Sequence, residues 1–193
     1  MQATEPSTTP PFLPSHWKTE RIIVTDSTLE DVPQLTRLFN ACSYVAAWDP
    51  TFHPVAEDQL AQLVTQSLAT TGEQQAFRLQ CLHSTVDDAY IGYFHLHHRP
   101  PRLPQPSTAF ISMFVIHPTF QQKRFAQEVV TGLARELTAC GYIAIWLNIF
   151  LKNWPALRFW IQQGFTTIIE YDGAPYHTET AHASLVLEKR LQG

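Results

Sequence analysis

The stretch "HPTFQQKRFAQEVV", His117 to Val130, joins two segments of different periodicity, and its reading decides the fold. Upstream, "AFISMFVIH" from Ala109 is apolar on both faces, the pattern of a strand in the middle of a sheet. Downstream, Phe125, Val129, Val130, Leu133 and Leu137 recur at helical spacing. The quoted residues therefore turn a central strand into a helix. Free backbone N–H groups and the positive end of the helix dipole gather at such an entrance. They make an anion site without needing a basic side chain.

Working outward, "YIAIWLN" from Tyr142 is a second buried strand, which makes a strand–helix–strand crossover. "WPALRFWIQQ" is a short helix ended by Gly164, and "FTTIIEY" and "ASLVLEKRL" form a closing antiparallel pair. Toward the N-terminus, "RIIVTDST" is a strand running into a helix near residues 28–40. Ser27 and Glu30 have capping-box spacing, Pro33 falls in the first turn, and Leu29, Val32, Leu35, Leu38 and Phe39 form its apolar face. An aromatic loop, "SYVAAWDPTFHP", separates it from a second helix marked by Leu60, Leu63, Val64 and Leu68. Strands at "QAFRLQCL" and "YIGYFHLH" follow, and the prolines of "HRPPRLPQPS" require a loop. Residues 1–18, rich in Pro, Ser and Thr, read as a loose arm before one domain at 19–193. The element order predicts a mixed α/β fold with seven strands in one sheet and about four helices.

Composition narrows the function by exclusion. A formal charge of -4 and no local Lys/Arg cluster leave no footprint for nucleic acid. The longest apolar run, "GYIAIWLNIFL", is too short to span a bilayer and contains Asn148. The N-terminus has neither the basic start nor the apolar core of a signal peptide. Cys42, Cys81 and Cys140 are odd in number, far apart and outside any CxxC spacing, so buried free thiols are expected. A cytoplasmic protein follows from these readings; a homodimer is compatible with them.

From Ala109 to Tyr171 the chain resembles the GCN5-related N-acetyltransferases (GNAT), which carry an acetyl group from acetyl-CoA to an amine. A buried strand ends in "VIHP". "QQKRFA" follows where the family has Gln/Arg-x-x-Gly-x-Gly/Ala, then a second buried strand. "NWPALRFWIQQGF" matches Asn-x-x-Ala-x-x-Phe-Tyr-x-x-x-Gly-Phe at Asn153, Ala156, Phe159, Gly164 and Phe165. The resemblance implies a mostly antiparallel sheet splayed between its fourth and fifth strands. It implies a pyrophosphate cradle at Gln122, Lys123, Arg124, Phe125, Ala126 and Gln127. The backbone of Phe114, Val115 and Ile116 would pair with the pantetheine arm, and Asn153 would touch the cofactor. Acetyl-CoA is thus the expected acyl donor, with an amine-bearing acceptor and no metal.

Two departures from the family pattern matter. Arg124 stands where a glycine belongs; if that position demands positive φ, arginine costs on the order of 1–3 kcal/mol. Asn148 and Trp160 stand where many members carry a general base (Glu) and a thiolate-protonating Tyr, and neither side chain titrates usefully near neutral pH. Three readings follow: an enzyme using other groups, an acyl-CoA binder that only senses, or a site that has lost its ligand. Replacement bases would come from His117 or from "EYDGAPYHTETAH", which offers Glu170, Tyr171, Asp172, Tyr176 and His177. Tyr44, Trp48, Asp49 and His53 could line the acceptor pocket, with core closure as the plainer role for the aromatics. His95 and His97 share one face of a strand, as metal ligands could, but no third ligand accompanies them.

Overall fold

The chain enters its sheet earlier than its composition suggests. In the computed structural model, which describes residues 13–49, 51–69, 77–101, 105, 107–173, 178 and 182–191, Leu13 and Trp17 are buried. The Trp17 indole N–H donates to Gln80 Oε1 at 2.9 Å. These residues hold β1 (His16–Lys18) against β2 (Ile22–Asp26). Residues 13–18 are therefore not a loose arm: burial of an indole with a satisfied N–H offsets the cost of ordering them. The sheet accordingly has eight strands, not seven.

The capping box also moves by one residue. Ser27 is fully buried, with its hydroxyl 3.1 Å from Cys81 Sγ and its N–H donating to Leu79 O. Thr28 takes over: its N–H donates to Asp31 Oδ2 at 2.8 Å, opening a one-turn helix at Leu29–Asp31. Leu29 stays exposed, and α1 runs Val32–Asn40. In α2 (Glu57–Ala69) Leu68 is exposed, while Ser67 is buried and accepts from Leu79 N–H at 2.8 Å.

The remaining elements are β3 (Phe77–Ser84), β4 (Ala89–His97), β5 (Thr108–Ile116), α3 (Phe125–Ala139), β6 (Ala144–Phe150), α4 (Trp154–Gln162), β7 (Thr167–Gly173) and β8 (Ala183–Arg190). The sheet order is β1-β2-β3-β4-β5-β6-β8-β7, with only β5 and β6 parallel. One core, including Val129, Leu133, Ile145, Leu147, Trp160 and Phe165, lies on one face of the sheet. A second, including Leu35, Leu38, Leu60, Val64, Leu79, Tyr93 and Val115, brings α1 and α2 onto the sheet. Within α3, Gly132 permits close approach to β1: a Cβ there would sit 2.7 Å from Trp17 Cζ3 and from Thr19 Cγ2. Among the described residues no helix is long and apolar enough to cross a membrane.

The gap that positions the site lies between β5 and β6. They pair from Thr108/Ala144 to Ile111/Leu147 and then part, although β5 continues to Ile116 and β6 to Phe150. Each keeps its outer partner: β4 follows β5 to Ile116, and β8 follows β6 to Phe150. The β4–β5 register shifts between His95 and Leu96, leaving Ser112 as an extra residue on β5. Such a bulge bends its strand, and this one falls where the strands diverge. The splay is where the family resemblance implies it, renumbered to the fifth and sixth strands by the added β1.

Candidate functional site

At the end of β5 the chain turns sharply. His117 caps the one-turn helix Pro118–Phe120, its Nδ1 accepting from Thr119 N–H at 3.3 Å. Gln121 Nε2 donates to Ile116 O at 3.0 Å and to the Tyr44 hydroxyl at 2.5 Å, tying the turn to the strand and to the aromatic loop. Gln122 (φ 62°) and Arg124 (φ 66°) are then both left-handed. The glycine position thus does demand positive φ, and Arg124 carries the conformational cost, on the order of 1–3 kcal/mol.

Other residues hold this loop in place. Glu128, in the first turn of α3, accepts from Thr19 Oγ1 (2.5 Å), Arg21 N–H (2.7 Å) and Arg21 Nε (2.8 Å). The Arg21 guanidinium lies 4.5 Å from the centre of the Phe125 ring and donates to Lys123 O at 3.4 and 3.5 Å. Burial pushes the Glu128 carboxyl up, but the Thr19 hydroxyl and the Arg21 amide and guanidinium outweigh it and hold the pKa below its ordinary value. In a planar trans peptide the C=O and the following N–H point in opposite directions. Holding Lys123 O toward Arg21 therefore turns Arg124 N–H the other way. The N–H groups of Gln122, Lys123, Arg124, Phe125, Ala126 and Gln127 have no acceptor among the described residues; the first helical bond is Glu128 N–H to Arg124 O. That is a nest of donors at a helix N-terminus, suited to a phosphate.

Phe114, Val115 and Ile116 lie beyond the last rung shared with β6, so β5 meets no β6 partner there. Asn148, exposed on β6, is the first residue past that rung. Val186 stands between Asn148 and Glu170 in one row across β6, β8 and β7, so these two residues are about 9–10 Å apart. Trp160 is buried, edge-on to Phe114 with ring centres 5.3 Å apart. It touches the strand that borders the gap, as packing and not as a proton donor. Asn153 caps α4 through Oδ1, accepting from Ala156 N–H at 3.2 Å.

Other sequence candidates have local roles. Tyr44 packs edge-on to Trp48, while Asp49 Oδ1 accepts from Thr51 N–H and Oγ1. Tyr176 and His177 lie outside the described residues. His95 and His97 do share a face, both rings meeting Phe77. Among the described residues no group of three or more His, Cys, Asp or Glu is placed to hold a metal ion. The left-handed Gln122, the Arg21–Glu128 tie and the Ser112 bulge carry no local sequence signal.

The same architecture occurs in solved structures. An acetyltransferase from Thermus thermophilus superposes with a TM-score of 0.69 at 19% identity, covering 91% of this chain and 100% of that one. A GNAT-family acetyltransferase from Bacillus anthracis gives 0.68 at 15% identity, covering 91% and 98%. The PaiA N-acetyltransferase from Thermoplasma acidophilum, solved in complex with coenzyme A, gives 0.60 at 12% identity, covering 88% and 98%. No curated protein matches this chain by sequence. The family model described as the acetyltransferase (GNAT) family matches residues 33–165. With that match spanning more than half of its length, the chain belongs to the GNAT acetyltransferase family.

Proposed function

We propose that the chain transfers an acetyl group from acetyl-CoA to a primary amine of a small molecule or peptide, by direct attack in a ternary complex. The observation that carries this reading is the pairing of β5 with β6 only as far as Ile111/Leu147, next to a helix entrance whose N–H groups lack acceptors. The nest would hold the pyrophosphate, and the strand backbone at Phe114, Val115 and Ile116 would pair with the amides of the pantetheine arm. Asn153 would contact the cofactor with the amide nitrogen that capping leaves available. The acceptor would enter past Tyr44 and Trp48, with Asn148 along the gap and Glu170 further out, across β8 on β7. A cytoplasmic setting accords with the buried free thiols Cys42 and Cys81.

A non-catalytic acyl-CoA binder is the second reading, favoured by the absence of a titratable group at Asn148 and Trp160. Thiol release from acetyl-CoA across a panel of amines separates the two, using the parent chain and Trp160→Tyr. Turnover in the parent is the expected result, with Trp160→Tyr within about tenfold because a ring is kept. Tight CoA binding without turnover in the parent, but with turnover in Trp160→Tyr, would make the parent a binder.

A further inference from the structure

The bulge in β5 brings a second pair of groups to the mouth of the gap. Ser112 is the extra residue of the bulge and the first β5 residue past the last rung shared with β6, level with Asn148. It is exposed, and its Oγ lies 2.9 Å from Nε2 of His97 on β4. The His97 ring is half-buried, 5.0 Å from the Phe77 ring centre and 6.3 Å from that of Phe110. Among the described residues the groups facing it are Phe77 from β3, His95 from its own strand, and Phe110 and Ser112 from β5; none of these carries a charge at neutral pH. Burial lowers the His97 pKa below its ordinary value, and burial together with His97 pushes His95 down to about 3. Both imidazoles are neutral at pH 7, and a neutral Nε2 can accept.

We propose that His97, acting through Ser112, is the base of the acetyl transfer. The assignment rests on the acetyltransferase reading above, and it supplies from the neighbouring strand the group that Asn148 cannot be. The lone pair of the amine nitrogen attacks the thioester carbonyl carbon. As the C–N bond forms, an N–H proton passes to Ser112 Oγ while the hydroxyl proton passes to His97 Nε2. The C–S bond breaks, its electron pair leaves with sulfur, and solvent protonates the thiolate. The imidazolium then returns its proton to solvent, so amine and acetyl-CoA become amide and CoA thiol. Ser112 and His97 end unchanged.

The test uses the full chain, imidazole ¹⁵N NMR with His97→Gln for assignment, calorimetry with CoA, and thiol release with acetyl-CoA and spermidine, tyramine or glycinamide. The His97 signal should titrate below 6.5 and shift when acetyl-CoA is added. CoA affinity and the KM for acetyl-CoA should stay within about twofold in His97→Gln, while kcat falls on the order of 10²-fold. The acid limb of the parent's kcat profile should vanish in that variant, and Ser112→Ala should lower kcat in the same direction. A His97 signal indifferent to saturating acetyl-CoA overturns the assignment whatever the variants' kcat. So does an unchanged kcat profile in His97→Gln; CoA binding without turnover of any amine removes the acetyltransferase reading as well. Absence of CoA binding in the parent would instead remove the acetyltransferase reading, and this assignment with it.

Discussion

Glu128→Ala should destabilise the fold by about 2–3 kcal/mol at pH 7 and weaken CoA binding in the same variant. A fully buried ion pair losing one partner costs about 3–5 kcal/mol, and the partial exposure of this pair scales the figure down. The substitution strips the Thr19 hydroxyl, the Arg21 N–H and the Arg21 guanidinium of their common acceptor. Arg21 then loses the anchor from which it holds Lys123 O and covers Phe125. Since those contacts support two left-handed non-glycine residues, the donor nest should loosen with them. The pH dependence carries a definite sign. The folded pKa of Glu128 is depressed, so its contribution is fully present above the ordinary carboxylate value of 4.5 and is lost as pH falls through the lower folded value. Urea midpoints between pH 7 and pH 3 should therefore fall more steeply for the parent than for Glu128→Ala. Parallel curves would show that the carboxylate does not stabilise the loop.

Gly92→Ala should cost more, about 3 kcal/mol or above, which lowers Tm by roughly 6–12 °C for a chain of this size. A Cβ at this position would lie 2.0 Å from Val115 O and 3.1 Å from Ile116 Cδ1. The first obstacle is backbone, so no rotamer change relieves it; β5 itself must move. Gly92 pairs with Ile116 at the end of the strand proposed to hold the pantetheine arm, and the displaced segment is the one the cofactor needs. Thermal unfolding and CoA titration should therefore deteriorate together. A variant within about 1 kcal/mol of the parent would show that the strands do not approach so closely.

Much of this architecture is legible in the sequence because periodicity reports burial. The apolar runs at 109–117 and 142–148 become β5 and β6, and the spacing of Phe125, Val129, Val130, Leu133 and Leu137 becomes α3. The splay follows from the family resemblance and not from periodicity. What the residues do not reveal depends on partners far along the chain. Trp17 looks like part of a polar arm until Gln80 receives its N–H, and Ser27 looks like a cap until Cys81 claims its hydroxyl. Arg21 and Glu128 are separated by 107 positions, so no local pattern connects them. Arg124 is visible as an anomaly, but its φ cannot be read from residue type. His97 is visible as one of two strand histidines, whereas its partner Ser112 emerges only from a register shift.

Calorimetric titration of CoA into the parent chain and into Arg124→Gly, at low and at high salt, tests the account most directly. Backbone N–H donors survive any side-chain change, so both proteins should bind with micromolar affinity, about −8 kcal/mol or better. The parent should lose affinity more steeply with salt if the Arg124 guanidinium reaches a phosphate. No heat of binding at millimolar CoA in either protein would contradict the cradle and, with it, the proposed transfer.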